Sequence, residues 1–276
     1  MIKRVLKRCL EKAPSGMQGV FYAWQERWYS SICVDRRMVR AIADYFGYTY
    51  PQALSLLELG ERLNAELWNM LKPGTPKDIL KFYAATPFYI FDLGYWHMKR
   101  MQKILRRQIV KVSTGTVLDY GGGIGDLTLA FARAGREVVY ADMAGRTFDF
   151  ARWHLRRSGH ANISMLDAAE EWDRIWERKY GTIVCVDVIE HVLDPEKVIR
   201  KMADSLARDG KLVVTGLDSC GPDEKHPMHL KIGFHPEAVL NSLGFRRSPD
   251  WLWLWERPSA TSGPGGKQEG KNASPL

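Results

Sequence analysis

Cysteine is scarce. Cys9, Cys33, Cys185 and Cys220 are the only four in 276 residues, and they are scattered without a C-x-x-C pair. That pattern offers no disulfide framework and reads as reduced structural thiols in a cytoplasmic protein. No apolar run reaches the ~20 residues of a membrane span, and no signal-peptide pattern with an apolar centre is present. Internal repeats are also missing. Apolar residues still make up 45% of the chain, enough for the core of one full α/β domain with an appendage.

The richest stretch is Val117-Leu118-Asp119-Tyr120-Gly121-Gly122-Gly123-Ile124-Gly125-Asp126-Leu127-Thr128. Thr116 to Leu118 suit a strand covered on both faces. Leu127, Leu129, Ala130, Phe131 and Ala134 then supply an apolar helix face. Between them Gly121, Gly123 and Gly125 make an alternating turn where the backbone can take φ > 0 and a ligand can come close. A dinucleotide fingerprint, G-x-G-x-x-G, is lacking: counted from Gly121, its third glycine would fall at Asp126. An acid at the helix mouth also disfavours a diphosphate.

This run resembles the first motif of class I S-adenosylmethionine-dependent methyltransferases, two hydrophobic residues followed by Asp/Glu-x-Gly-x-Gly-x-Gly. The resemblance implies that Asp119 lies near the methionine amino group and that Gly121 and Gly123 lie against the cofactor. A carboxylate suits an ammonium and a sulfonium. Residues 137–142 read as a second strand ending in Asp142, about 20 residues past the glycines, where an acid can hold a ribose diol. A third strand over 162–168 places Asp167 to accept from the adenine amino group. Further strands are expected over 181–187 and 210–216, the latter starting at Asp209-Gly210 after a helix around 195–207. The expected cofactor set is Asp119, Tyr120, Gly121, Gly123, Gly125, Asp142, Met143, Asp167, Ala168 and Asp187.

The fold implied is α/β: a Rossmann-like, doubly wound, mostly parallel sheet with one antiparallel edge, preceded by a helical N-terminal region. Ser248-Pro249-Asp250 is a plausible turn within that edge. Trp251, Trp253 and Trp255 alternate and suggest one aromatic face packed on a helix. Three regions follow: residues 1–110 as a helical lid or substrate region, 111–257 as the methyltransferase domain, and 258–276 as a disordered tail rich in Gly, Ser, Pro and Lys. Helical pieces are expected over 31–46, 51–71 and 76–83. The aromatic segment Phe82, Tyr83, Phe88, Tyr89, Phe91, Tyr95 and Trp96 follows, to enclose an apolar acceptor or to fill a small core.

Charge is net +8 and uneven. Residues 1–12 and 97–111 both read as basic amphipathic helices. A solvated face is the default; peripheral contact with an anionic membrane is the next reading, and RNA follows it. No RNA-binding signature supports nucleic acid as a partner.

After the fourth strand comes Asp187-Val188-Ile189-Glu190-His191-Val192-Leu193-Asp194-Pro195. The Asn/Asp-Pro-Pro-Tyr/Phe of amino-directed methyltransferases is missing, as is the two-glutamate loop of the arginine-directed ones. The Glu-His resembles the ubiquinone-biosynthesis O-methyltransferases and the small-molecule methyltransferases around them. That resemblance points to a small, apolar or aromatic acceptor methylated on oxygen. His191, which follows the fourth strand near where the methyl should emerge, is the candidate base, and His229 is a candidate to orient the acceptor. A divalent metal held by Asp187 or Glu190, His191 and a later histidine is a variant; the reading adopted has no metal. Two other functions stay open: an RNA or peptide methyltransferase docking through the basic helices, and a non-catalytic cofactor-binding module. Oligomeric state is left open.

Overall fold

The structure, a computed structural model, describes residues 27–28, 31–217, 221–231, 233 and 235–258. The basic stretch at 1–12, Cys9, Cys220 and the tail beyond Pro258 lie outside the described residues. Cys33 and Cys185 are free thiols. Among the described residues no helix is long and apolar enough to cross a membrane.

The described chain enters the sheet through helices α1 (Arg36–Phe46), α2 (Tyr50–Leu71), α3 (Pro76–Ala85), α4 (Phe88–Trp96) and α5 (Arg100–Val112). Local chemistry sets their ends. The Asp35 side chain accepts from the Arg37 and Met38 amides at the head of α1, and Gly47 closes it in the left-handed region at φ 72°. This helix starts later than the apolar pattern suggests, because Ile32 is instead bridged to Lys99 as extended chain. Thr49 with Gln52 and Thr75 with Asp78 form reciprocal capping boxes at α2 and α3, each with a proline in the first turn. Helices α2 and α4 cross closely at Gly60, where a Cβ would stand 2.4 Å from the Asp92 amide nitrogen.

The sheet contains β1 (Val117–Tyr120), β2 (Val138–Asp142), β3 (Ile163–Asp167), β4 (Tyr180–Cys185), β5 (Leu206–Val214), β6 (Arg246–Arg247) and β7 (Leu254–Glu256). Their order is β3-β2-β1-β4-β5-β7-β6. Strands β1 to β5 pair in parallel. Strand β7 runs antiparallel to both β5 and β6, which makes the antiparallel edge a pair with β6 outermost. Strand β5 begins at Leu206, earlier than expected: Tyr180 pairs with Leu206 and Thr182 with Lys211, so an irregularity sets residues 207–210 against the single Gly181. Alternation along the strands yields two apolar faces. Leu118, Val139, Ile183, Leu212 and Trp255 pack on one side; Val117, Val138, Val184, Val213 and Leu254 pack on the other.

The tryptophans do not share one face. Trp255 is buried with the first group, whereas Trp251 and Trp253 pack against the second. The strand starts only at Leu254, so the period of two does not extend back through the turn.

The crossover from β1 runs through α6 (Asp126–Arg133), and α7 (Arg146–Arg157), α8 (Trp172–Trp176), α9 (Pro195–Ser205) and α10 (Pro236–Ser242) follow later in the chain. The chain winds from β1 through β2 to β3 on one side and through β4 to β5 on the other. The switch falls between β1 and β4, where open α/β sheets bind ligands. The leading helices dock at this place: Ile124 of the glycine turn and Phe150 of α7 join the core of Met38, Val39, Ile42, Leu57, Ile90, Phe91 and Met98.

Candidate active site

A cavity of about 410 Å³ opens at the carboxyl ends of β1, β2 and β4. Its floor is the glycine turn. Gly121 and Gly123 take φ 71° and 53°, in the left-handed region. A Cβ on Gly121 would stand 2.4 Å from Val188 Cγ2, and one on Gly123 would stand 2.9 Å from Leu93 Cδ1. Both glycines line the cavity, as do Asp119, Tyr120, Asp142, Met143, Ala168 and Asp187. Gly125 does not. It caps α6 at φ 78° and faces Leu155, 3.2 Å from where a Cβ would sit.

Asp119 is 3% exposed and accepts from Thr128 Oγ1 at 2.5 Å. Burial pushes its carboxyl up to about 7, against the lowering effect of that bond. Asp142 ties β2 to the glycine turn: Oδ2 accepts from the Gly123 amide and Oδ1 from the Met143 amide, each at 2.7 Å. Burial raises it to about 6. Each oxygen can accept more than one hydrogen bond, so the carboxylate keeps acceptor capacity toward the cavity.

Asp167 is turned away. Its Oδ1 accepts from the amides of Ala144 at 3.2 Å and Ala169 at 2.9 Å, and it is not among the lining residues. The adenine role expected of it meets a carboxylate used to fasten two turns; Ala168, Ala169 and Trp172 form the wall there instead.

Asp187 follows β4 at φ 54°, strained for a residue with a Cβ. Thr215 holds it on two sides, accepting from its amide at 2.8 Å and donating to its Oδ1 at 2.7 Å. Trp96 Nε1 donates to Oδ2 at 3.2 Å. His191 sits on the next turn and lines the cavity, with Nδ1 2.7 Å from the Tyr83 hydroxyl. Burial, then His229 and His226, lower its pKa to about 3, so the ring is neutral. His229 lies beside His191, with ring centroids 4.8 Å apart, and stacks on His226; it does not line the cavity.

Glu190 is buried with Oε2 unpartnered, and burial and then Asp187 push it up to about 8. Ligand atoms of Glu190, His191 and His229 lie within 4.8 Å of one another, the one such group among the described residues. A divalent ion would find mixed N and O donors there. Burial raises Glu190 and lowers both histidines, which favours the neutral form of each.

Of the aromatic segment, Tyr83, Tyr89 and Trp96 line the cavity. Other lining residues were not singled out from the sequence. Arg106, expected on a solvated basic face, is only 14% exposed and pairs with Asp126 Oδ2 at 3.1 Å; His97 Nδ1 meets Oδ1 of the same acid at 2.9 Å. Burial alone would raise Asp126, but Arg106 and His97 outweigh it and hold the carboxyl well below the usual range. With that charge compensated, glycine spacing rather than repulsion is what argues against a diphosphate.

The chain belongs to the class I S-adenosylmethionine-dependent methyltransferases, and the family described as methyltransferase domain matches residues 95–259. It is 28% identical over 146 residues to a ubiquinone biosynthesis O-methyltransferase of Serratia proteamaculans, covering 51% of this chain and 61% of that one. It is 33% identical over 127 residues to the protein of the same name from Proteus mirabilis, covering 46% and 50%. The chain thus spans only about half to three-fifths of those relatives' length. Among solved structures, magnesium protoporphyrin IX methyltransferase from Synechocystis PCC 6803 with bound SAH is similar at 18% identity and a TM-score of 0.42, over 56% of this chain and 81% of that chain.

Proposed function

We propose that this methyltransferase acts on oxygen of a small, apolar or aromatic acceptor, with His191 as general base. The observation that carries the reading is the wall facing the glycine turn: Tyr83, Tyr89, Trp96, Leu80 and Leu193 enclose a space with one neutral imidazole at its edge. The relatives' printed name, O-methyltransferase, supports the same choice of atom. When bound, the cofactor supplies an electrophilic methyl on a sulfonium.

In this reading Asp119 holds the ammonium and Asp142 accepts from the ribose hydroxyls. Met143 and Ala168 flank the adenine, and Gly121 and Gly123 give room. Arg106 offers a cation to the carboxylate end. Asp187 shapes the turn that carries His191 and borders the methyl end. The aromatic wall excludes water and aligns the acceptor, a contribution of several kcal/mol when the geometry is right. His191 takes the acceptor proton, typically ~10²–10⁴-fold in rate. No metal is assigned a role. Arg106 is spent inside the fold and is not part of a free basic face on α5.

The test is transfer of labelled methyl from S-adenosylmethionine into separated lipid, small polar, RNA and protein fractions. Label is expected in the organic-soluble or small-molecule fraction, lost in His191→Ala while cofactor binding persists. Label in RNA or protein would replace this acceptor class.

A further inference from the structure

Tyr83 lies on α3, before the residues 95–259 that match the family, so its contact with the site is a property of this chain's own leading helices. Its hydroxyl reaches two atoms: His191 Nδ1 at 2.7 Å and the Met228 carbonyl oxygen at 3.1 Å. These partners are not equivalent. The carbonyl can only accept, whereas a neutral imidazole nitrogen donates or accepts according to tautomer. Burial pushes the phenol's pKa upward, so the hydroxyl keeps its single proton.

Only two arrangements are open. In one, Tyr83 donates to His191 Nδ1, and its oxygen then faces the Met228 carbonyl lone pair to lone pair. Met228 is buried, and among the described residues Tyr83 is the donor to its carbonyl, so within them that group would lose its donor. In the other, Tyr83 donates to Met228 and accepts from Nδ1–H of His191. The Tyr83 hydroxyl, His191 Nδ1 and the Met228 carbonyl then each have a partner, and the unprotonated nitrogen of His191 is Nε2.

We propose that Tyr83 is a positioning residue that holds His191 in its Nδ1–H tautomer and leaves the Nε2 lone pair free for the acceptor's proton. The relay runs from His191 Nδ1–H to the Tyr83 oxygen and from the Tyr83 hydroxyl to the Met228 carbonyl. Rings around Tyr83 hold it in place: Trp68 lies 6.3 Å away and Tyr89 5.7 Å away between centroids, and Tyr83 meets the His191 ring edge-on at 5.6 Å. A free imidazole prefers its proton on Nε2, the form that would present a donor where a base is needed. The proposal rests on the reading of His191 as base, but tautomer and activity are measured separately.

The experiment uses the full chain with ¹⁵N-labelled histidine at neutral pH, with the His191 signals assigned from the spectrum of His191→Gln. Long-range ¹H–¹⁵N correlation reads which ring nitrogen carries the proton. The wild type is expected to show Nδ1–H. In Tyr83→Phe the proton should move wholly or partly to Nε2, while Tyr89→Phe, whose hydroxyl makes no bond to the ring, should leave the His191 signals in place. For Tyr83→Phe, kcat should fall roughly 10- to 100-fold, part of the ~10²–10⁴ a positioned base contributes, with cofactor affinity unchanged. A wild-type signal showing Nε2–H, or a tautomer unchanged in Tyr83→Phe, overturns the proposal. Full activity in His191→Gln would instead sink the base reading, whatever the tautomer.

Discussion

The end of the cavity proposed for the cofactor is assembled from Asp119, Gly121, Gly123 and Asp142, which stand at the carboxyl ends of two adjacent strands or in the turn directly after one of them. The acceptor end joins Tyr83 of a leading helix to His191 of the β4 turn, 108 positions apart. At the first end backbone amides carry much of the construction, as where Gly123 and Met143 donate to Asp142. At the second, side chains meet side chains across the junction of the helical region and the sheet: Tyr83 with His191, and Trp96 with Asp187. A site built on backbone is constrained by the fold itself. One built on inter-region packing can vary while the fold stays the same, which suits a class of enzyme that keeps one methyl donor and changes acceptors.

The comparison breaks most sharply at Gly121. Gly121→Val places a branched side chain on a residue at φ 71° with Val188 Cγ2 2.4 Å from the Cβ position. We expect cofactor binding to fall below detection in calorimetry while the chain remains folded by circular dichroism. Binding within a few-fold of wild type would mean that the turn does not hold the cofactor.

A smaller effect is expected from pH. In the cofactor-free protein burial raises Asp119 to about 7 and Asp142 to about 6. A cationic ligand at Asp119 favours the ionised form, so affinity should rise with pH through those values. Below both, affinity should drop by about tenfold per pH unit for each group that must lose a proton, since one pKa unit is worth about 1.4 kcal/mol. Dissociation constants measured at pH 5, 6 and 7 check the slope; a flat profile would remove Asp119 from contact with the ammonium.

The smallest expected effect is none. Dialysis against a chelator should leave the methylation rate unchanged, because the reading gives no role to a metal. A rate lost on chelation and restored by Mg²⁺ or Mn²⁺ would turn Glu190, His191 and His229 into ligands and redraw the acceptor end.

Most of the glycine-turn end of the cavity was legible in the sequence. An alternating glycine turn between an apolar strand and an apolar helix is a local signal, and an acid about 20 residues on marks the next strand's end. The limits of that legibility are physical. Asp167 stands at the expected strand end, yet its side chain satisfies the Ala144 and Ala169 amides, a choice made by loop geometry. Arg106 reads as one of several cations on a basic helix face, because spacing reports which face a residue shares and not what lies opposite it. Glu190 and His191 were visible as a pair, but the neutral states that burial imposes on them depend on what packs around them.

By itself, then, the sequence determined the class of fold, the glycine turn and the acids Asp119 and Asp142 at the strand ends. These follow from backbone periodicity and from residue types that only one local geometry accommodates. Tertiary structure alone decided that Tyr83 reaches His191, that Trp96 supports the strained Asp187, and that Asp126 is neutralised by Arg106 and His97. Those contacts depend on how two separately patterned regions dock. Docking is set by the summed packing of many side chains, such as Ile124 and Phe150 among the leading helices, and no short stretch of sequence records that sum.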